Sequence, residues 1–259
     1  MTETLSLFPN AKINLGLFIK GKRADGYHLL ETLLFPVTSL SDTLSLSPIN
    51  QAGCTLSVSG IALDSGVQDN LCYKAWKLMV ERFPDLPGVH IDLQKNIPAG
   101  AGLGGGSSDA AFTLKGLNQL FSLGLSDPSL AEIAAKLGAD VPFFIYNQPL
   151  LARGIGTDLT AVDLPLPGRL EVVTPNIHSS TVAAYKSLDY RMFDPERDLL
   201  SVLKLPVNQW REFLVNDLEV PVFAMYPQLK EIKENFYQRG AIYAAMSGSG
   251  SAVFGLFPL

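Results

Sequence analysis

The 259-residue sequence predicts an α+β protein, and three observations carry that reading. Segments with period-two alternation dominate the first hundred residues, from KINLGLFIK to VHIDLQ. Segments with apolar residues three and four apart interrupt them only here and there, as at LCYKAWKLM, rather than following every strand. Near the end, AIYAAM and SAVFGLF are separated only by SGSG, an antiparallel signal.

Taken in order, LSLF near the start and Lys12 to Lys20 read as strands. In the second of these, Ile13, Leu15, Leu17 and Ile19 share one face, and Lys12, Asn14, Gly16 and Phe18 share the other. KRADGYH turns the chain through Asp25-Gly26. TLLFPVTSL, DTLSLS, CTLSVSG and VHIDLQ continue as strands. Between them, Asn70 suits the N-cap of a helix carrying Leu71, Ala75, Leu78 and Met79. Ser107 or Ser108 would cap the next helix, which buries Ala110, Ala111, Leu114, Leu117 and Phe121. Asp127-Pro128 opens another that stops at Gly138, and Asp140 then leads into the apolar VPFF. In LARGIGTDLTAVDLPLPGR, Gly and Pro thicken without a helical period, which marks a junction between a domain of residues 1–158 and one of 159–259. EVVTPN is then a strand, STVAAYKSL starts a helix, and YPQLKEIKENFYQRG is a helix ending at Gly240.

Composition excludes several functions. A hydrophobic fraction of 47% supports a substantial core, and a formal net charge of −5 disfavours a protein whose main task is holding nucleic acid. Cys54 and Cys72 have neither zinc-site spacing nor a disulfide framework, so a reducing, cytoplasmic setting is expected. The N-terminus lacks the pattern of a secretory signal, and no apolar run is long enough for a bilayer span.

The most informative stretch is PAGAGLGGGSSDAA, where five glycines fall within fourteen residues between a strand and a helix. A plain turn does not require so much ordering entropy. A phosphate cradle does, because bare backbone can approach a polyphosphate while its N–H groups and the next helix N-terminus hold negative charge. Gly100, Gly102 and Gly105 satisfy G-x-G-x-x-G, but the acidic residue of a dinucleotide fingerprint is missing, as is the G-K-[ST] of a Walker loop.

On these residues the chain resembles the GHMP kinase superfamily, whose second motif reads P-x-x-x-G-L-G-S-S-A-A. PNAKINLGLFIKGKRADGYH is similar to an N-terminal signature in that superfamily, GADVPFF to its catalytic aspartate segment, and MSGSGSAVFGLF to its third motif. The matches extend from residue 9 to residue 257. The resemblance implies a two-lobed fold, with an N-terminal lobe like the second domain of ribosomal protein S5 and a ferredoxin-like C-terminal lobe. It also implies ATP as co-substrate and as acceptor a small molecule, a cytidine diphosphate-linked methylerythritol phosphorylated at its 2-hydroxyl; phosphoryl-transfer chemistry, without an Asp/Glu cluster to hold a metal, then implies Mg²⁺ carried on the ATP. Neither nucleic acid nor membrane is an expected partner.

Residue by residue, the resemblance makes Asp140 the general base and Lys12 the catalytic lysine. A carboxylate suits a tertiary alcohol as an orienting group that accepts its proton while the new bond forms. It further places Pro98, Ala99, Gly100, Ala101, Gly102, Leu103, Gly104, Gly105, Gly106, Ser107 and Ser108 around the triphosphate, and Asn70 and Lys95 at the adenine. Tyr27, His28 and Tyr185 would hold cytosine, and Asn14 the methylerythritol. Asn70 could equally serve only as a helix cap, and SGSGS could be a tight hairpin connection rather than a substrate contact. Two other readings compete. One is a GHMP kinase for a mevalonate- or homoserine-type acceptor, which has no use for the aromatic DGYH element; the other is a non-enzymatic RNA-binding protein, which the acidic balance disfavours.

Overall fold

The computed structural model describes residues 4–62, 66–189 and 193–259. In chain order these give strands β1 (Leu5–Leu7), β2 (Asn10–Lys22), β3 (His28–Ser41), β4 (Thr43–Ile49) and β5 (Cys54–Gly60), then helix α1 (Leu71–Arg82) and strand β6 (Gly88–Lys95). Helices α2 (Gly105–Leu120), α3 (Asp127–Ala134) and α4 (Val141–Tyr146) precede strands β7 (Leu150–Gly154), β8 (Asp158–Ala161) and β9 (Arg169–Val173). Helices α5 (Thr181–Lys186), α6 (Leu199–Leu203), α7 (Val207–Phe213), α8 (Glu219–Met225) and α9 (Pro227–Gln238) lead to β10 (Tyr243–Met246) and β11 (Val253–Phe257). The α+β expectation is met. No helix among the described residues is long and apolar enough to cross a membrane.

The chain divides into two compact units, each discontinuous in sequence. Unit 1 draws on Met1–Ala11, Pro36–Ala99 and Gly104–Gln148, and unit 2 on Lys12–Phe35, Gly100–Leu103 and Pro149–Leu259.

Unit 1 is built on a sheet of order β1-β4-β6-β5. β4 runs antiparallel to β1 and β6, whereas β5 pairs parallel with β6. A parallel pair needs a crossover, and α1 supplies it. The helix starts where the sequence indicates: Asn70 Oδ1 accepts the Cys72 N–H at 2.9 Å, and Cys72, Ala75 and Met79 are buried. α2 lies against it with Ala110, Ala111, Leu114 and Leu117 fully buried. Its cap differs from expectation. Helical geometry begins at Gly105 behind a left-handed Gly104, so Ser107 and Ser108 fall in the first turn. α3 is likewise capped one residue early, by Ser126, whose hydroxyl accepts the Ser129 N–H, and it ends at Ala134 rather than Gly138.

Unit 2 holds the remaining two sheets. In the first, of order β2-β3-β7-β8, Asp25-Gly26 makes the expected turn: the Arg23 N–H donates to Tyr27 O at 2.8 Å, and Gly26 takes a φ of +92°. The stretch whose Gly and Pro content suggests a junction contains the hairpin β7–β8, paired through β7 to β3. The second sheet, β10-β11-β9, is antiparallel throughout. α9 packs on it, and Phe236 is buried in a cluster with Leu229, Val222, Met246 and Val253. Gly255 leaves room for that ring, since a Cβ there would sit 2.5 Å from Phe236 Cδ1. Gly255→Ala is expected to destabilise the protein by about 1–3 kcal/mol through overpacking, read as a lower urea midpoint at unchanged slope.

Candidate active site

In unit 2, β2 brings two polar side chains into the buried interior. Lys12 and Asn14 are 5% and 4% exposed, and the period of the strand puts them on one face, as the sequence predicts. The Lys12 ammonium donates to Asn14 Oδ1 at 2.7 Å. Asn14 Nδ2 in turn donates to Thr32 Oγ1 at 3.0 Å, and that hydroxyl donates to Gly16 O at 2.6 Å. This relay fixes which end of the Asn14 amide faces the lysine. Thr32 escapes a sequence reading because it acts from the neighbouring strand.

The middle of the glycine loop is tied to the same strand by its main chain. The Lys12 N–H donates to Leu103 O at 2.9 Å, and the Ala252 N–H donates to Ala101 O at 2.9 Å. Gly102 has a φ of +81°, and a Cβ on it would lie 2.0 Å from Ser247 O. A side chain is therefore excluded twice, by conformation and by space. Ser247 Oγ donates back to Gly102 O at 2.9 Å, so loop 247–251 abuts the glycine loop directly.

Tyr27, His28 and Tyr185 meet at one cavity of about 510 Å³, which Lys22, Lys186, Leu30 and Ile155 help to line. The His28 and Tyr185 rings are 4.7 Å apart with a 36° tilt, and Tyr27 stands 63% exposed at the rim. Burial, helped by the Lys22 charge, holds the His28 imidazole below its ordinary value. A neutral imidazole offers one donor and one acceptor beside an exposed aromatic face, which suits the edge and face of a flat polar ring.

In unit 1, α2 begins without a side-chain cap, and Ser108 Oγ is buried with no hydrogen-bond partner among the described residues. Uncapped helical N–H groups leave a positive end available to an anion. Asn70 lines a separate cavity of about 440 Å³ with Leu56, Val58, Ile61 and Val67, besides capping α1. Asp140 is the residue preceding α4, yet its carboxylate makes no cap hydrogen bond to that helix. Asn10 and Asn147 brace α4 at its other end through reciprocal amide hydrogen bonds of 3.1 and 2.8 Å.

The Lys95 side chain goes to a buried ion cluster. Its ammonium donates to Asp42 and, at 2.6 Å, to Asp109 Oδ2, and all three side chains are at most 4% exposed. Asp42 Oδ1 also accepts the N–H groups of Asn96 and Ile97 at 2.5 and 2.8 Å, so it is the better satisfied carboxylate. Asp109 Oδ1 has no partner among the described residues. Burial drives Asp109 up to about 7; Lys95 opposes this and the Asp42 charge reinforces it. The cluster holds the end of β6 to the first turns of α2, on either side of the glycine loop. Sequence reading gives Asp109 no role and misses Asp42, whose partners are more than fifty residues away.

The geometry can be set against known proteins. A GHMP kinases N terminal domain model matches residues 70–148, and a GHMP kinases C terminal model matches 204–259. Both halves of the chain thus carry GHMP kinase domains. The chain is 49% identical over 253 residues to the 4-diphosphocytidyl-2-C-methyl-D-erythritol kinase of Bacteroides fragilis, covering 96% of this chain and 91% of that one. It is 48% identical over 260 residues to the kinase of the same name from Porphyromonas gingivalis, covering 97% and 91%. A crystal structure of 4-(cytidine 5'-diphospho)-2C-methyl-D-erythritol kinase superposes with a TM-score of 0.84 at 37% identity, over 97% of this chain and 90% of that one. The chain belongs to the 4-diphosphocytidyl-2-C-methyl-D-erythritol kinase family of GHMP kinases.

The Asp109 shift has a definite sign. Because the native state binds this proton more tightly than the unfolded chain, Asp109 subtracts stability as pH rises from about 4 to about 7, and the loss is complete above that window. Asp109→Asn is therefore expected to gain stability relative to the native sequence as pH rises through this range and to show a constant difference above it, measured by urea unfolding at a series of pH values.

Proposed function

We propose that this chain transfers the γ-phosphoryl group of ATP to the 2-hydroxyl of 4-diphosphocytidyl-2-C-methyl-D-erythritol, a step of the non-mevalonate route to isoprenoids. The observation that carries the reading is 49% identity over 96% of the chain to a kinase of that name. The buried Lys12–Asn14 pair beside the glycine loop supports it independently.

Phosphoryl transfer asks the protein chiefly for positioning and for charge where negative charge develops. The uncapped start of α2 and the bare backbone from Gly100 to Gly106 receive the triphosphate. Lys12 stabilises charge at the transferring group. Asp140 orients the acceptor hydroxyl and takes its proton as the bond to phosphorus forms. Asn14, its oxygen turned to Lys12, contacts the methylerythritol portion. Cytosine lies between Tyr27 and Tyr185 with its edge on His28, and adenine occupies the apolar cavity at Asn70. Ser107 or Ser108, in the first turn of α2, would lie near a Mg²⁺ ion brought by ATP. Such an ion neutralises phosphate charge. A cytoplasmic setting agrees with the two free cysteines.

ADP release in the presence of the cytidylyl acceptor, mevalonate or homoserine tests the assignment. Turnover is expected with the first alone, and preference for either of the others overturns it. Asp140→Asn is expected to lower kcat by about 10²-fold or more with ATP affinity nearly intact. Tyr27→Ala is expected to raise KM for the cytidylyl acceptor far more than KM for ATP, and equal changes in both would remove Tyr27 from acceptor binding.

A further inference from the structure

We propose that Asn216 is a positioning residue for phosphoryl transfer, holding loop 247–251 against the Lys12–Asn14 pair. Its catalytic meaning rests on the kinase reading above, while the tether itself stands on geometry within unit 2.

Asn216 is 2% exposed and lies in a short segment that runs alongside β2. The Leu17 N–H donates to Val215 O at 3.0 Å, and the Asp217 N–H donates to Leu17 O at 2.9 Å. Asp217 Oδ2 accepts the Ile19 N–H at 2.8 Å and is itself held by Arg197 at 2.5 Å. The backbone of Asn216 is therefore fixed to the strand that carries Lys12 and Asn14. Its side chain reaches the loop instead. Nδ2 donates to Met246 O at 2.9 Å and to Gly248 O at 2.8 Å, and Oδ1 accepts the Leu218 N–H at 3.0 Å. Both amide hydrogens and the oxygen are thus engaged.

The carbonyls it holds matter because of where Gly248 lies. Gly248 has a φ of +58°, and a Cβ on it would be 3.1 Å from Asn14 Oδ1 and 3.7 Å from Lys12 Nζ. The loop is therefore packed against the oxygen to which the Lys12 ammonium donates. Glu219 adds a second tether by accepting the Met246 N–H at 2.8 Å, yet it leaves Gly248 itself unheld. Asparagine suits this position chemically. Aspartate would put a carboxylate against two carbonyl oxygens, and alanine would leave both carbonyls without their donor in a buried place.

Asn216→Ala and the isosteric Asn216→Asp test the proposal, with kcat expressed per folded molecule and amide hydrogen exchange followed across residues 246–252. Both variants are expected to lose about 10- to 100-fold in kcat, the scale of a misplacement near one ångström, with little change in KM for ATP. Exchange within 247–251 should quicken while the β9–β11 ladder keeps its protection. Should neither variant fold, Gly248→Ala leaves the Asn216 amide in place and crowds Asn14 directly, and it is expected to depress kcat similarly. Native kcat per folded molecule in Asn216→Ala, or in Gly248→Ala, would overturn the proposal. A native chain that turns over no cytidylyl acceptor would instead sink the kinase reading, and exchange in the variants would then decide for or against the tether.

Discussion

Backbone meeting backbone, with no side chain between, is the constraint on which unit 2 depends. Gly102 and Gly250 face one another so closely that a Cβ on Gly250 would fall 2.1 Å from Gly102 N, and one on Gly102 would fall 2.0 Å from Ser247 O. Two loops separated by well over a hundred residues therefore share one surface. β2 joins them through the hydrogen bond from the Lys12 amide to Leu103, so the strand that presents the lysine also sets the height of the glycine loop. Position is what a phosphoryl transferase needs most, and the chain obtains it from main chain, whose geometry varies less than that of long side chains.

Buried charge does complementary work, and each unit handles it differently. In unit 1 one cation serves two carboxylates, and the second of these is left to hold a proton near neutrality because burial outweighs what remains of the Lys95 attraction. In unit 2, Asp217 and Glu219 each accept a backbone N–H and each have one basic partner, Arg197 and Lys233. Such pairs are poor sources of net stability, since desolvation consumes most of the Coulombic gain. Asp42, Asp217 and Glu219 each fix a backbone amide from a distant part of the chain, which argues for a role in specifying geometry.

What the sequence discloses follows the range of the interaction. The Asn70 cap, the Asp25-Gly26 turn and the shared face of Lys12 and Asn14 are decided by neighbours a few residues away and can be read directly, whereas β2 is buried at every position from Asn10 to Ile19 and left-handed Gly16 interrupts its alternation. The start of α2 departs from the expected serine cap because left-handed Gly104 takes the capping position, and Ser108 is buried in the first turn. β7 and β8 were hidden by glycines at the turn and prolines beyond, which mask a hairpin supported by β3. The short helices α6, α7 and α8 carry too few turns to show a period. The motifs around Lys12, the glycine loop and Asp140 were legible through family resemblance, but Asp42, Thr32 and Asn216 were not, because each gains its meaning only from partners brought up by the fold.

The interleaving of the two units bears on how the protein is made. Residues 12–35 leave the ribosome early, yet the strand that flanks β3 and the C-terminal sheet belong to segments synthesised after residue 148. The first hairpin of unit 2 must therefore wait, its apolar Leu17 and Ile19 without the later residues they pack against, while the larger part of unit 1 emerges behind it. A nascent chain in that condition is a natural client for a chaperone, and termination before β11 would remove the middle strand of the sheet β10-β11-β9.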